Sequence, residues 1–150
     1  NSIYQIWIEL YDNIQNMKIT AEQKKNIAKI AKKHGLELVM LFGSFASGEN
    51  RKDSDIDIAV LGKKDMDLKK TLAISQGLSS VFKKEVDLSV MNRANPLLLH
   101  QVEQNAVLLF GKDEKFFEFK LRAFRRYQDY APYFEMEMQL NKELIKQYAS

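Results

Sequence analysis

The chain has no cysteine, two histidines, two prolines, six glycines and one tryptophan among its 150 residues. Without cysteine it can build neither a disulfide framework nor a thiolate zinc site, and it is compatible with a reducing compartment. The two imidazoles, His34 and His100, lie far apart with no ligand-like spacing, so any bound metal is expected to be held by oxygen. No apolar run approaches the roughly 20 residues that a membrane span needs. The first residues lack a basic stretch and carry Glu9 and Asp12 inside their apolar pattern, so they do not read as a signal peptide. The expectation is a cytoplasmic protein with no membrane partner. Charge of one sign is scarce too: a net +3 spread over interspersed Lys, Arg, Asp and Glu gives no reason to expect nucleic acid as a partner.

What is present is a balance of 45% hydrophobic and 29% charged residues, which with this length favours one folded domain over 1–150. Ile3, Ile6, Leu10, Ile14 and Met17 recur every three or four residues, which predicts an accessory amphipathic helix over 1–18. Thr20 and Gln23 have the spacing of a capping box, and Ile27, Ala28, Ile30 and Ala31 supply the apolar face of a second helix that stops at Gly35. Residues 36–42, 55–61 and 85–90 read as strands, and 106–110 is a fourth apolar run. Between them, 66–82 is helical in pattern despite Gly77, and Pro96 after Asn95 opens a short helix through about Gln104. After Gly111 two helices are expected, 113–130 and 133–148, broken near Pro132. This predicts an α/β fold, a small mixed sheet flanked by helices, with a C-terminal helical pair within 112–150.

The segment LFGSFASGENRKDSDIDIAV, residues 41–60, carries the chemistry. Gly43 and Ser44 directly follow the first strand, where glycine lets backbone approach a ligand and the following amides can meet phosphate oxygens. Further on, Asp55 and Asp57 stand two apart in a strand, so both carboxylates leave one face while Ile56, Ile58 and Val60 leave the other. In EVDLSV, Asp87 lies on the polar side of its strand with Glu85 and Ser89, placed to bring a third carboxylate onto the same floor. Carboxylates about 5 Å apart repel by roughly 3 kcal/mol at an effective dielectric near 20, a cost that a divalent cation removes. Magnesium, bound by few carboxylates plus phosphate oxygens and water, suits such a site.

Gly43-Ser44, an interval, then Asp55-x-Asp57 resembles the signature of the polymerase-beta-like nucleotidyltransferase superfamily. The fuller string, the later VDLSV and the tail RAFRRYQDYAPYF are similar to the minimal nucleotidyltransferases, the MNT antitoxins paired with HEPN-domain toxins. The resemblance covers roughly residues 20–140. It implies a nucleotidyltransferase fold, with Gly43 and Ser44 on the β- and γ-phosphates of ATP. It also implies one or two Mg²⁺ ions on Asp55, Asp57 and Asp87, with Asp87 helping to deprotonate the acceptor. The implied reaction is transfer of AMP to a tyrosine of the HEPN toxin, which silences it. Many family members have Arg where this chain has Ser47; Arg51 or Lys52 of the same loop is the substitute source of positive charge. Two other readings stand beside this one: neutralisation of the toxin by binding alone, and transfer to a small-molecule acceptor. His34 is expected to be structural at a helix end and His100 to lie on a helix surface. Trp7, Tyr127, Tyr130 and Tyr133 are expected in core or interface. The basic residues of 113–130 form a solvated face or a docking surface for an acidic partner.

Overall fold

The computed structural model describes residues 2, 3, 5, 19–43, 46 and 55–149. Most of the accessory helix expected over 1–18, Trp7 included, falls outside the described residues, as does most of the loop 44–54. Helix α1 (Ala21–Lys33) starts where its chemistry says it should. Thr20 Oγ1 accepts from the Gln23 amide at 3.1 Å, and Gln23 Oε1 accepts from the Thr20 amide at 3.0 Å. Two otherwise orphaned donors are satisfied reciprocally. Strand β1 (Leu36–Phe42) follows, then β2 (Ile56–Gly62), helix α2 (Leu68–Phe82), strand β3 (Val86–Val90), helix α3 (Pro96–Asn105), strand β4 (Val107–Phe110) and helix α4 (Asp113–Ala149).

The four strands form one mixed sheet in the order β3-β2-β1-β4. β1 pairs antiparallel with β2, Phe42 opposite Asp57, and antiparallel with β4, Leu41 opposite Val107. β2 and β3 run parallel with Asp57 beside Asp87, and α2 supplies the crossover that a parallel pair requires. Alternation along β1 and β2 sends side chains to two cores. On one face, Val39, Leu41, Ile58 and Val60 pack with Ile27 and Ala31 of α1 and Ile74 and Leu78 of α2. On the other, Leu38, Met40 and Ala59 pack with Leu99 and Val102 of α3 and Phe119 and Ala123 of α4. Gly77, a poor helix former inside α2, lets α1 come close: a Cβ there would lie 3.2 Å from Ile30 Cδ1.

β2 is closed at its far end by a side chain. Asn92 Oδ1 accepts from the Gly62 amide at 2.9 Å, and its Nδ2 donates to the Gly62 carbonyl at 2.8 Å. The side-chain amide thus continues the ladder past the last residue of β3. Removing it leaves buried backbone groups without partners, so Asn92→Ala is expected to cost about 2 kcal/mol, against less than about 0.5 kcal/mol for Arg93→Ala on the exposed surface beside it. Urea unfolding of the two variants checks this.

The C-terminal helical pair is corrected to one helix, α4, with Pro132 inside it. Proline deletes one hydrogen bond to the residue four before it, here the carbonyl of Gln128, at a cost of about 3 kcal/mol in a helix interior. Gln128 is exposed, so that carbonyl can turn to water, and the stretches further out, KLRAFRR before and EMEMQL after, are rich in strong helix formers. Among the described residues no helix is long and apolar enough to cross a membrane.

Candidate functional site

β1 ends, and β2 and β3 begin, at the same edge of the sheet. Because Phe42 faces Asp57 and Asp57 sits beside Asp87, the turn after β1 and two carboxylates meet there by register alone. Asp55 immediately precedes β2, whose first amide, that of Ile56, donates to the Glu85 carbonyl at 3.0 Å and so fixes the two strand starts together. Asp57 and Asp87 leave the face that also bears Ala59. The hydrophobic layer under α3 and α4 covers Ala59 but stops short of the aspartates. Asp57 is half-buried, while Asp55 and Asp87 are exposed. Burial holds the Asp57 carboxyl above the ordinary carboxylate range, and Asp87 and then Asp55 push it further up.

Gly43 is in the left-handed region, φ +73°, and its Cα faces the Asp57 side chain. A Cβ added there would stand 3.0 Å from Asp57 Cγ and closer still to Oδ2. Glycine is therefore required twice, by the backbone angle and by the carboxylate that fills the space where a side chain would go. The structure thus brings together Gly43, Asp57 and Asp87, with Asp55 at the edge. Ser44 and Arg51, and with them Ser47 and Lys52, lie outside the described residues.

The donor set is all oxygen, which suits a magnesium-like ion. Among the described residues no three acidic, imidazole or thiol groups stand close enough to complete a metal site alone. An ion held here would take its remaining ligands from phosphate and water, as magnesium ordinarily does. A hollow of about 670 Å³ between Leu36, Lys63, Phe110 and Lys112 is elsewhere: Leu36 pairs with Gly62, at the opposite end of the sheet from Gly43. It contains none of the expected site residues.

One histidine expectation changes. His100 is not a surface residue but is stacked face to face on Tyr127, centroids 3.6 Å apart, with Nδ1 3.0 Å from Glu103 Oε1. The signal available for this was the three-residue spacing of His100 and Glu103 on one helix face. His34 sits at the end of α1 as expected, and burial, then Lys33 and Lys70, lower its pKa, which favours the neutral imidazole. The unfolded chain therefore binds a proton more readily than the folded one, and stability is lost as pH falls below about 6.5. The midpoint of thermal unfolding should drop between about pH 7 and pH 5, and His34→Gln should flatten that part of the profile.

A mixed sheet with a glycine turn laid on one strand's aspartate, and a second aspartate beside it from a parallel neighbour, defines a nucleotidyltransferase domain. The chain belongs to the polymerase beta nucleotidyltransferase family, whose pattern it matches over residues 25–115. It is 33% identical over 93 residues to MntA, a protein adenylyltransferase of Shewanella oneidensis, covering 62% of this chain and 67% of that one. Its fold is similar to the crystal structure of a toxin-antitoxin with AMP-PNP, TM-score 0.65 and 28% identity, over 85% of this chain and 98% of the other. It is similar also to the MNT antitoxin in complex with the tri-AMPylated HEPN toxin of Shewanella oneidensis, TM-score 0.61 and 26% identity, over 85% and 97% of the two chains.

Proposed function

We propose that this chain is a cytoplasmic antitoxin that transfers AMP from ATP to a tyrosine hydroxyl of a HEPN-domain toxin, acting as a single nucleotidyltransferase domain. The observation that carries the reading is the contact of the Gly43 turn with Asp57 beside Asp87, in a chain whose relatives include a protein adenylyltransferase and antitoxins seen with HEPN toxins. Its partners in this reading are ATP and a protein, with no role for nucleic acid or membrane.

Gly43 and Ser44 hold the β- and γ-phosphates, and Arg51 adds positive charge from the same loop. Asp55, Asp57 and Asp87 would hold one or two Mg²⁺ ions, which neutralise the triphosphate and the charge developing on the leaving pyrophosphate. Asp87, the more exposed of the paired carboxylates, faces the acceptor and takes its proton. The tyrosine oxygen forms its bond to the α-phosphorus, the bond from that phosphorus to the bridging oxygen breaks, and pyrophosphate departs. Asp57, half-buried and pinned by Gly43, keeps the donor in line while this happens.

Incubation with ATP labelled in the α-phosphate, magnesium and the HEPN toxin should label the toxin. Absence of label above an Asp55→Asn control would reject transfer. If that variant still protects cells from the toxin, neutralisation by binding takes its place.

A further inference from the structure

Helix α4 is far longer than the domain needs. Phe119 and Ala123 are buried against the sheet and Tyr127 stacks on His100, but from Tyr130 onward nearly every residue is exposed. The apolar stripe does not stop there. Ala131, Phe134, Met138, Asn141, Ile145 and Tyr148 follow at alternating three- and four-residue steps, continuing the side of the helix that carries Ala123 and Tyr127. Met138, Ile145 and Tyr148 are 59%, 66% and 85% exposed. With the flanking Tyr130 and Leu144, 45% and 48% exposed, they leave on the order of 550 Å² of side-chain surface uncovered, taking roughly 180 Å² for a large side chain. An interface of standard size takes about 800 Å² from each partner, so Phe134, Asn141 and the stems of the flanking Glu135 and Lys142 supply the remainder.

We infer that this half of α4 pairs antiparallel with the same segment of a second copy of the chain. The spacing is that of a two-helix seam, with one polar position, Asn141, of the kind that fixes register at some cost in stability. Direction follows from the body of the protein. Below Tyr127 the seam side of α4 is already occupied by its own domain, so a parallel partner would bring a second domain onto the same side of the paired helices. Antiparallel pairing sends the two domains to opposite ends. It sets Phe134 of one copy against Ile145 of the other, and Met138 against Asn141. Charge agrees: Glu135 and Lys142 flank the seam on the same side, and antiparallel helices bring such flanking positions of the two copies together. Neither residue has an ion pair among the described residues. The inference stands independently of the transfer reaction.

Sedimentation velocity of the chain alone, at roughly 10 to 100 µM, should show a dimer. Met138→Glu with Ile145→Glu, both exposed and remote from the core, should give a folded monomer with unchanged far-UV circular dichroism and association weakened at least a hundredfold. Asn141→Leu should tighten the dimer. Glu135→Lys and Lys142→Glu should each weaken self-association by about tenfold, and an equimolar mixture of the two should recover it. A monomeric wild type at the highest concentration overturns the inference, as does a seam covered only after toxin is added. Weakening by Glu137→Lys but not by Glu135→Lys overturns the antiparallel direction.

Discussion

Asp57→Asn is expected to lower the rate of nucleotidyl transfer by about a thousandfold or more while making the ligand-free protein more stable by about 1 kcal/mol. The two effects have one cause. Asp57 is half-buried beside Asp87, with Asp55 just before it on the same strand face. Burial and these two neighbours hold its carboxyl above the usual range. The folded state therefore keeps the proton longer than the unfolded chain does, so this group's contribution declines as pH rises from about 4 through the folded-state value. At neutral pH three charges are held together at a standing cost. Coulomb's law puts that cost at about 3 kcal/mol for a pair roughly 5 Å apart at an effective dielectric near 20. Two of the three carboxylates are exposed and screened by solvent, which reduces it to about 1 kcal/mol. An amide of the same shape removes the repulsion and, with it, a ligand for the cation. Transfer rates together with thermal melts, each with and without magnesium and ATP, separate the outcomes. The variant should melt higher than wild type when bare and gain less from the ligands. A variant that melts lower when bare, or transfers within tenfold of wild type, contradicts the account.

How much of this was legible in the residues depends on range. Local chemistry was: Thr20 with Gln23, and Asn95 with Pro96, marked helix starts that the structure places where the spacing said, because a cap is satisfied within one turn. The face of Asp57 and that of Asp87 could each be read from strict alternation. That they are neighbours came only from the resemblance, since no property of either strand specifies which strand lies beside it; the parallel pairing of β2 with β3 does so. The contact of Gly43 with Asp57 likewise depends on the register of β1 against β2. Pro132 misled in the other direction. A proline weakens a helix by a local amount, and on an exposed stretch with good helix formers on both sides the rest of the helix outweighs it. His100 was misplaced because the residue that covers it, Tyr127, comes from another helix.

Gly43→Ala should reduce transfer by at least a hundredfold in a protein that still folds, with a stability loss of about 1–2 kcal/mol. The methyl group meets two obstacles of different kinds. One is intrinsic: at φ +73° an L-residue is strained wherever it stands. The other is particular to this site, where the new Cβ lands on the Asp57 carboxylate, 3.0 Å from Cγ and 3.2 Å from Cβ. Rotating the carboxylate aside relieves the overlap but takes it from its place beside Asp87, so the damage appears in catalysis more than in folding. A double-mutant cycle divides the two. With Asp57→Ala as background, the carboxyl group is gone and only the 3.2 Å contact remains, so Gly43→Ala should then cost little beyond the backbone strain. A coupling of at least about 0.5 kcal/mol between the two positions, measured by denaturant unfolding, is the expected signature of contact. Strictly additive values would mean that the glycine serves its own turn alone and that the carboxylate is positioned by something else.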